Sequence, residues 1–580
     1  MDQKEIKNTP VWGLYEKGRD YARMIGMYED TDKNNRFYNG NQWEGCNLGG
    51  IEPIQENFIR PVVKYKCAVI HSNLYGIVYD STNFEEDFQP IAERFCGLIN
   101  KHMARVWERD KLDVKLRRIT KHAAINDEGI MYIRWDVEGK VPKHEVLKKN
   151  DVYYGDENND NIEEQPYILI RKRLSESEAI ELALEEGLPE GKTKQIAPDQ
   201  DTFDQSGDAA KYEVDDKVTI IYKLYKSGGT VKYDVATRLV TIAEGKDTQL
   251  TRYPLAHFIW EEKEGSARGE GEVRNLIPNQ IEVNRLAMRR ALTAKTSAHP
   301  LKVVDTDKIQ NADALDRVGS TIKTKGKTVD DVRKVVGFVQ PAAMSPDAKM
   351  LEDDLIVKSR ELAGAGDVAT GQADPGSASG RAVLATQSAS REPVAEHTEA
   401  FKGFVEDIGR IDMEMFIVYA ADGMDVPEET EDPYTGQKIV RLVNIPQAAL
   451  QRLKLDVKIE ITPKGVYDKY SQEQFLESLL TQGLLNPQRS TELRIYAELL
   501  DDDANAPKRK ILEAVEKIEK EKEKIARINA QAQMHMQSAQ QFLSQDPATQ
   551  GQQLEEAQQQ EATRQMLRER MAQKMAEKSK

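Results

Sequence analysis

The sequence is poor in the residues that build covalent or metal-held frameworks. Three cysteines, Cys46, Cys67 and Cys96, occur in 580 residues. They form no CxxC pair and leave an odd one over, which argues against a disulfide framework or a structural zinc site and makes a reducing compartment the expectation. Histidine is also sparse, at 8. His71, His122 and His257 could serve as bases, but they are scattered with no nucleophile or metal cluster beside them, so core or surface histidines are the better reading. No apolar run reaches the roughly 18 residues that cross a bilayer, and the opening MDQKEIKNTP lacks the apolar stretch of a secretory leader. The expectation is a soluble chain that folds inside a cell and makes no membrane contact.

Nucleotide-binding motifs are missing too, though two stretches come near. Gly269-Glu270-Gly271 opens a helical pattern, but Arg274 stands where a dinucleotide fingerprint needs its third glycine, and no βαβ unit follows. Ahead of Gly326-Lys327-Thr328, a phosphate-cradling loop requires a glycine where Thr321 stands. The acidic run Asp151 to Gln165 does not fit the register of a calcium loop, which needs ligands at alternate positions around a central glycine, and reads as a surface loop. Catalytic residues, cofactors and metals are therefore not expected, and any motor that works with this chain is a separate protein.

Charge is plentiful and unbalanced. Lys and Arg number 82 against 98 Asp and Glu, for a net charge of −16, so a general DNA-binding protein is disfavoured and any nucleic-acid contact must be local. A hydrophobic content of 39% over this length suits several parts rather than one compact globule.

The pattern that remains is α+β and mainly helical. One amphipathic helix is predicted from Thr9 to Arg36, ended by the aromatic turn Phe37 to Trp43 around Asn39-Gly40. Further helices are expected after Pro61, from Phe88 to Trp107 and from Leu112 to Asp127, then a strand over Gly129 to Asp136. Tyr167 to Arg173 reads as a strand, Ser175 as the N-cap of a helix with Glu178 closing a capping box, and Val218 to Tyr225 with Thr230 to Thr241 as a hairpin. Two long helical patterns then bracket a β-rich excursion: Gly271 to about Ala298, and a second ending near Ala363. Such an order places the excursion at the tip of a stalk and the Gly/Ser/Pro loop GAGDVATGQADPGSASG at the stalk's other end. A long helix from Arg381 to Ala421, a strand over Leu455 to Thr462, polar helices beyond Ser471 and a Gln-rich end follow.

Two basic groups stand out on the stalk. Arg285, Arg289, Arg290 and Lys295 lie on overlapping faces of the first long helix; they read either as a sparse basic ring near DNA or as a solvated or inter-subunit salt-bridged face, since the second helix supplies Glu352, Asp353, Asp354 and Glu361. Lys323, Lys325 and Lys327 alternate as on one face of a strand, as a basic rim or simply a wetted surface.

Several short motifs occur in a telling order: Tyr38-Asn39-Gly40-Asn41-Gln42-Trp43, Asn57 to Lys66 with Pro61, the Gly129 to Asp136 strand, Tyr253-Pro254, Arg268-Gly269-x-Gly271 through Asn284, and Ser379-Gly380-x-Ala382. Together they resemble the portal (head-to-tail connector) proteins of tailed bacteriophages, most closely the longer portals of short-tailed phages. That resemblance implies a ring of about twelve identical subunits, with wing, two-helix stem, small α/β clip and helical crown. On this chain the wing would be 1–270, stem helices 271–299 and 342–363, the clip 300–341, a tunnel loop 364–380, a long wing helix 381–421, wing strands 422–465, crown helices 466–545 and a Gln-rich tail 546–580. Gly366, Asp367, Thr370, Gln372, Asp374, Ser377 and Ser379 would then face a DNA channel. The implied function is non-enzymatic: passage of double-stranded DNA, without sequence reading, through one capsid vertex in packaging and ejection. The implied partners are the terminase large subunit, major capsid and scaffolding proteins, and head-completion or tail adaptor proteins, in the virion and, during assembly, the host cytoplasm. Another phage structural, adaptor or scaffolding component, or a nucleic-acid-processing enzyme, is the alternative.

Overall fold

The computed structural model describes residues 8–48, 52–81, 89–199, 217–298, 301–317, 319–325, 336–339, 345–366, 392–431, 438–453, 455–463 and 525. The chain divides at residue 464 into two units, and all of these residues but Ile525 belong to the first. The expected crown helices and Gln-rich tail thus lie outside the described residues.

A mixed α+β fold, dominated by helices, begins with α1 (Pro10–Met24) and α2 (Met27–Asn39). The single helix expected here is two, because Gly26 takes a φ of 72° between them. Thr9 caps α1 and Pro10 fits its first turn, where no intrahelical N–H is required. Helix α3 (Ile59–Ile70) is followed not by more helix but by β1 (Asn73–Ser81). Helices α4 (Gln89–Arg109) and α5 (Leu112–Asn126) then lead into β2 (Glu128–Asp136), β3 (Val141–Leu147) and β4 (Val152–Tyr154).

Strand β5 (Ile168–Ser175) runs into α6 (Glu176–Glu185) through the expected capping box, with Ser175 accepting from the Glu178 amide. After the short α7 (Glu190–Thr193) come β6 (Lys217–Ser227), β7 (Thr230–Ala236), β8 (Thr241–Asp247) and β9 (Leu255–Ile259). The strand expected over Thr230 to Thr241 is therefore cut short at Ala236, where Thr237 turns the chain by bonding Val240. Then follow α8 (Glu272–Ala298), β10 (Leu301–Val304), β11 (Val336–Val339), α9 (Asp347–Leu362) and α10 (Ala395–Tyr419). Strands β12 (Met424–Glu431) and β13 (Lys438–Ile445), helix α11 (Gln447–Arg452) and strand β14 (Leu455–Pro463) complete the unit. No described helix is long and apolar enough to cross a membrane.

All strand pairs are antiparallel. One sheet has the order β3-β2-β9, a second β4-β5-β6-β7-β8, and three two-stranded ladders join β1 to β14, β10 to β11 and β12 to β13. In the five-stranded sheet successive residues face opposite sides: Ile221 packs with Trp12 and Tyr15 of α1, while Ile220 packs with Ala179 and Ala183 of α6. The larger core lies elsewhere, where α10 sends Phe401, Phe404, Ile408 and Phe416 against β2, β9, α3, α4, α5 and the first turns of α8. Burying one such aromatic side chain is worth about 1.5–3 kcal/mol, so this core fixes the root of α8 against the body.

Candidate functional site

The first turn of α8 is held by three different devices. Gly269 approaches the end of β9 so closely that a Cβ would stand 2.2 Å from Ile259 Cγ2 and 2.3 Å from the Glu261 carbonyl oxygen, which only glycine permits. Gly271 donates its N–H to Asp127 Oδ1 at 2.7 Å. Glu272 takes the Lys66 ammonium at 2.6 Å, both side chains buried. The glycines of Arg268-Gly-x-Gly thus serve close backbone packing. Pro278 falls inside the helix, not in its first turn.

Arg268 is itself buried. Its guanidinium pairs with Glu128, reaches Glu157 through Nε at 2.9 Å and Nη2 at 3.0 Å, and bonds the Val152 carbonyl at 2.7 Å, with the Tyr154 ring 4.8 Å away. His257 Nε2 completes the group at 2.8 Å from Glu128. Burial would raise the Glu128 carboxyl, but Arg268 and the His257 hydrogen bond outweigh it and hold it down at about 2.

Further along α8, Gln280 and Asn284 read the N-terminal segment. Gln280 accepts from the Phe58 amide at 3.1 Å and donates to the Glu56 carbonyl at 2.8 Å; Asn284 donates to Gln42 Oε1 and accepts from the Glu56 amide. Asn57 in turn donates to the carbonyls of Phe37 and Tyr38, each at 3.2 Å. Motifs that are short and separate in the sequence, around Gln42, Asn57 and Arg268 to Asn284, meet along one helix.

Helices α8 and α9 pack side by side. Asn279 Nδ2 donates to Ser359 Oγ at 2.9 Å, and Arg290 Nη1 lies 3.1 Å from Glu352. The partner numbers fall as the α8 numbers rise, so the pair is antiparallel. At the end of the pair β10 and β11 meet in register, Leu301 opposite Val339 and Val304 opposite Val336, so the excursion leaves and returns through one ladder. Within it Ile309 bridges Thr324, and Asn311 holds the returning strand by donating to Thr321 O and accepting from the Lys323 amide at 2.7 Å. Helix α9 ends in a Schellman pair, with Gly364 N–H bonded to Glu361 O and Ala365 N–H to Arg360 O.

The basic residues divide. Arg290 is half-buried between Glu352 and Glu56, a tie within one chain. Burial raises the Glu352 carboxyl above its ordinary value, with Arg290 opposing the shift. Arg285 is exposed and, among the described residues, pairs only with Glu282 of its own helix at 3.3 Å. Arg289 and Lys295 are exposed and have no ion pair among the described residues. Lys323 and Lys325 are exposed on either side of Thr324, but the expected strand is here only that isolated bridge, because Asn311 and Lys308 satisfy the backbone on both sides. Lys327 lies outside the described residues.

Of the loop, Gly366 is described and half-buried just past α9; Asp367, Thr370, Gln372, Asp374, Ser377 and Ser379 lie outside the described residues. The three histidines do not converge. His71 bonds Thr120 at 2.8 Å, His257 serves Glu128, and His122 is pushed down to about 4 by burial and then by Arg118, Lys121 and Lys148.

Two arrangements escape the sequence altogether. A cleft of ≈ 1150 Å³ gathers Arg117, Arg118, Lys121 and Lys148 beside Lys172, which Glu145 neutralises. His144 lies buried between Asp110, at 2.7 Å, and Asp412, at 3.1 Å. No local spacing foretells either, since their members come from distant segments.

Among curated proteins no match to the chain was found. A protein-family model described as Phage P22-like portal protein matches residues 18–580. That span takes in the convergent motifs along α8, the antiparallel α8–α9 pair and the excursion between them: the chain belongs to the phage P22-like portal proteins, structural components of the phage virion that serve DNA packaging.

Proposed function

We propose that copies of this chain close into a ring of about twelve subunits at one capsid vertex. Helices α8 and α9 line the wall of its DNA channel as a stem, and residues 300–341 form the clip that docks the terminase motor and later the head-completion or tail proteins. The observation that carries this reading is the antiparallel α8–α9 pair closed at one end by the β10–β11 ladder. A helix hairpin with a small folded excursion at its tip suits a column wall and its docking foot.

The exposed apolar side chains of this region support the ring. Met350 is 68% exposed, Leu351 50% and Leu362 85% along α9. A helix with both polar and apolar residues left in water is completed by a neighbour, and in a heterologous, closing interface that neighbour is the next copy. The finer assignments follow. Arg285, Arg289 and Lys295 supply weak, sequence-independent phosphate contacts, Arg290 being committed to Glu352 and Glu56. Residues 364–380 reach the duplex as a tunnel loop, and Lys323, Lys325 and Lys327 form a basic rim on the clip. A net charge of −16 over the whole chain limits sticking of DNA elsewhere.

Negative-stain electron microscopy and native mass of the purified chain test the proposal. The expected result is a closed ring of about a dozen copies with an axial hole wide enough for duplex DNA. A monomer, or an assembly without an axial opening, overturns it.

A further inference from the structure

Three segments meet beside the root of α8 in a group of side chains of which only Glu272, through its pair with Lys66, has a part in the account above. Glu261, just after β9, Glu272, the first residue of α8, and His397, in the first turn of α10, each present one ligand atom within 4.8 Å of the other two. His397 Nε2 is 3.8 Å from Glu261 Oε1. Two ligands each about 2.1 Å from a tetrahedral ion stand about 3.4 Å apart, so modest side-chain adjustment brings this set to coordination distance.

His397 is the independent sign of a ligand. It is 6% exposed, its ring centroid lies 4.4 Å from that of Trp260 with the planes tilted by 54°, and among the described residues neither ring nitrogen has a hydrogen-bond partner. Leaving a buried donor or acceptor unpaired forfeits its hydration without a replacement bond, and native structures rarely tolerate it without an ion or a water in the gap. A neutral imidazole offers the lone pair of one ring nitrogen to a cation. Around it negative charge is in excess. Burial, then Glu272, with Glu270 and Glu396 adding, raise the Glu261 carboxyl, while Lys66 alone opposes them. Lys66 and Trp260 both bond Glu272 through Oε2, at 2.6 and 3.2 Å, which leaves Oε1 for an ion.

We propose that Glu261, Glu272 and His397 bind a divalent transition-metal ion of the zinc class, which staples the exit of β9 and the first turn of α10 to the first residue of α8. One imidazole and two carboxylates suit zinc better than calcium or magnesium, which prefer all-oxygen sets. The site needs only the packing of three segments within one chain and does not depend on ring assembly.

The test is calorimetric titration of the chelator-treated full-length protein with ZnCl2, paired with the visible absorbance of cobalt(II) added in its place. Expected are one saturable site per chain and cobalt bands that report a nitrogen ligand. His397→Gln and Glu261→Gln should each weaken binding by roughly tenfold or more. Lys66→Met, which removes the competing ammonium, should bind at least as tightly as the wild type. Glu261 has a side chain 46% exposed, so its substitution leaves the fold intact if His397→Gln does not. Absence of saturable binding up to about 1 mM, or equal affinity in Glu261→Gln, overturns the proposal and leaves a water as the partner of His397.

Discussion

The body that roots α8 and the hairpin that α8 forms with α9 use charge in opposite ways. The body carries surface pairs as well, but it also holds buried ions closed on one another: Arg268 with Glu128 and Glu157, Lys66 with Glu272, His144 with Asp110 and Asp412. On the hairpin and its excursion they are mostly surface pairs within one element or loop, such as Arg285 with Glu282, Lys358 with Asp354 and Lys308 with Asp305, where solvent screens the attraction and the pairs stabilise little. The main apolar core lies in the body, whereas α9 packs Leu355 and Ile356 against it and leaves Met350, Leu351 and Leu362 exposed. One region satisfies itself within a single chain. The other is finished by whatever packs against it.

The sharpest way to break this contrast is to open a buried group in the body. Arg268→Met leaves Glu128 and Glu157 without their cation in a site closed to water, and removing one partner of such a pair costs about 3–5 kcal/mol. Denaturant unfolding of the dispersed chain should show a fall of that size. A loss below about 1 kcal/mol would place this pair with the surface pairs and dissolve the distinction.

A pH scan probes the same contrast at the next level. Burial lowers the pKa of His144, but Asp412 and Asp110 outweigh it and raise it to about 9, so the folded state holds its proton more tightly than the unfolded chain, where the group titrates near its usual 6.5. Its contribution is complete below pH 6.5 and disappears as pH rises through about 9. The difference is on the order of 3 kcal/mol. Above about pH 8.5 the Cys67 thiol, pushed up to about 12 chiefly by burial, adds a loss of its own. The His144 slope is therefore read between pH 6.5 and 8, as the wild type minus His144→Gln. A flat difference over that interval would show that the imidazolium is not stabilised by its two carboxylates.

How much of this was legible beforehand follows the range of the interactions. Boundaries set by neighbouring residues read well: Thr9 and Ser175 cap helices, Asn39-Gly40 ends α2, and the α8 pattern runs to Ala298. Elements held by a distant partner read unevenly: β14 shows in its own alternation, β1 does not. Strand β1 follows α3 without a break signal and is held by β14, with Asn73 opposite Pro463. At the candidate site the motifs around Gln42, Asn57 and Asn284 were visible one by one, but their meeting is a tertiary fact. The Glu261, Glu272 and His397 group was invisible for the same reason, because its third member lies far along the chain on another helix. On α8 the helical spacing grouped four cations, and it takes the packing of α8 on α9 to set Arg290 apart, beside Glu352 and Glu56.

The smallest effect on the single chain is the most telling about the hairpin. Met350 and Leu362 are 68% and 85% exposed, so little apolar surface was buried there by folding, and replacing both with serine should change the stability of the dispersed chain by only about 0.5 kcal/mol. In a ring the same two side chains meet the next copy, and each interface repeats around the circle. A loss that is trivial per chain is therefore multiplied by the number of interfaces that must close together. Native mass should show the doubly substituted chain as monomers and open fragments at a protein concentration where the wild type forms closed rings. Closed rings at wild-type yield would mean that these residues face solvent in the assembly, and that the neighbour is held by another face of the hairpin.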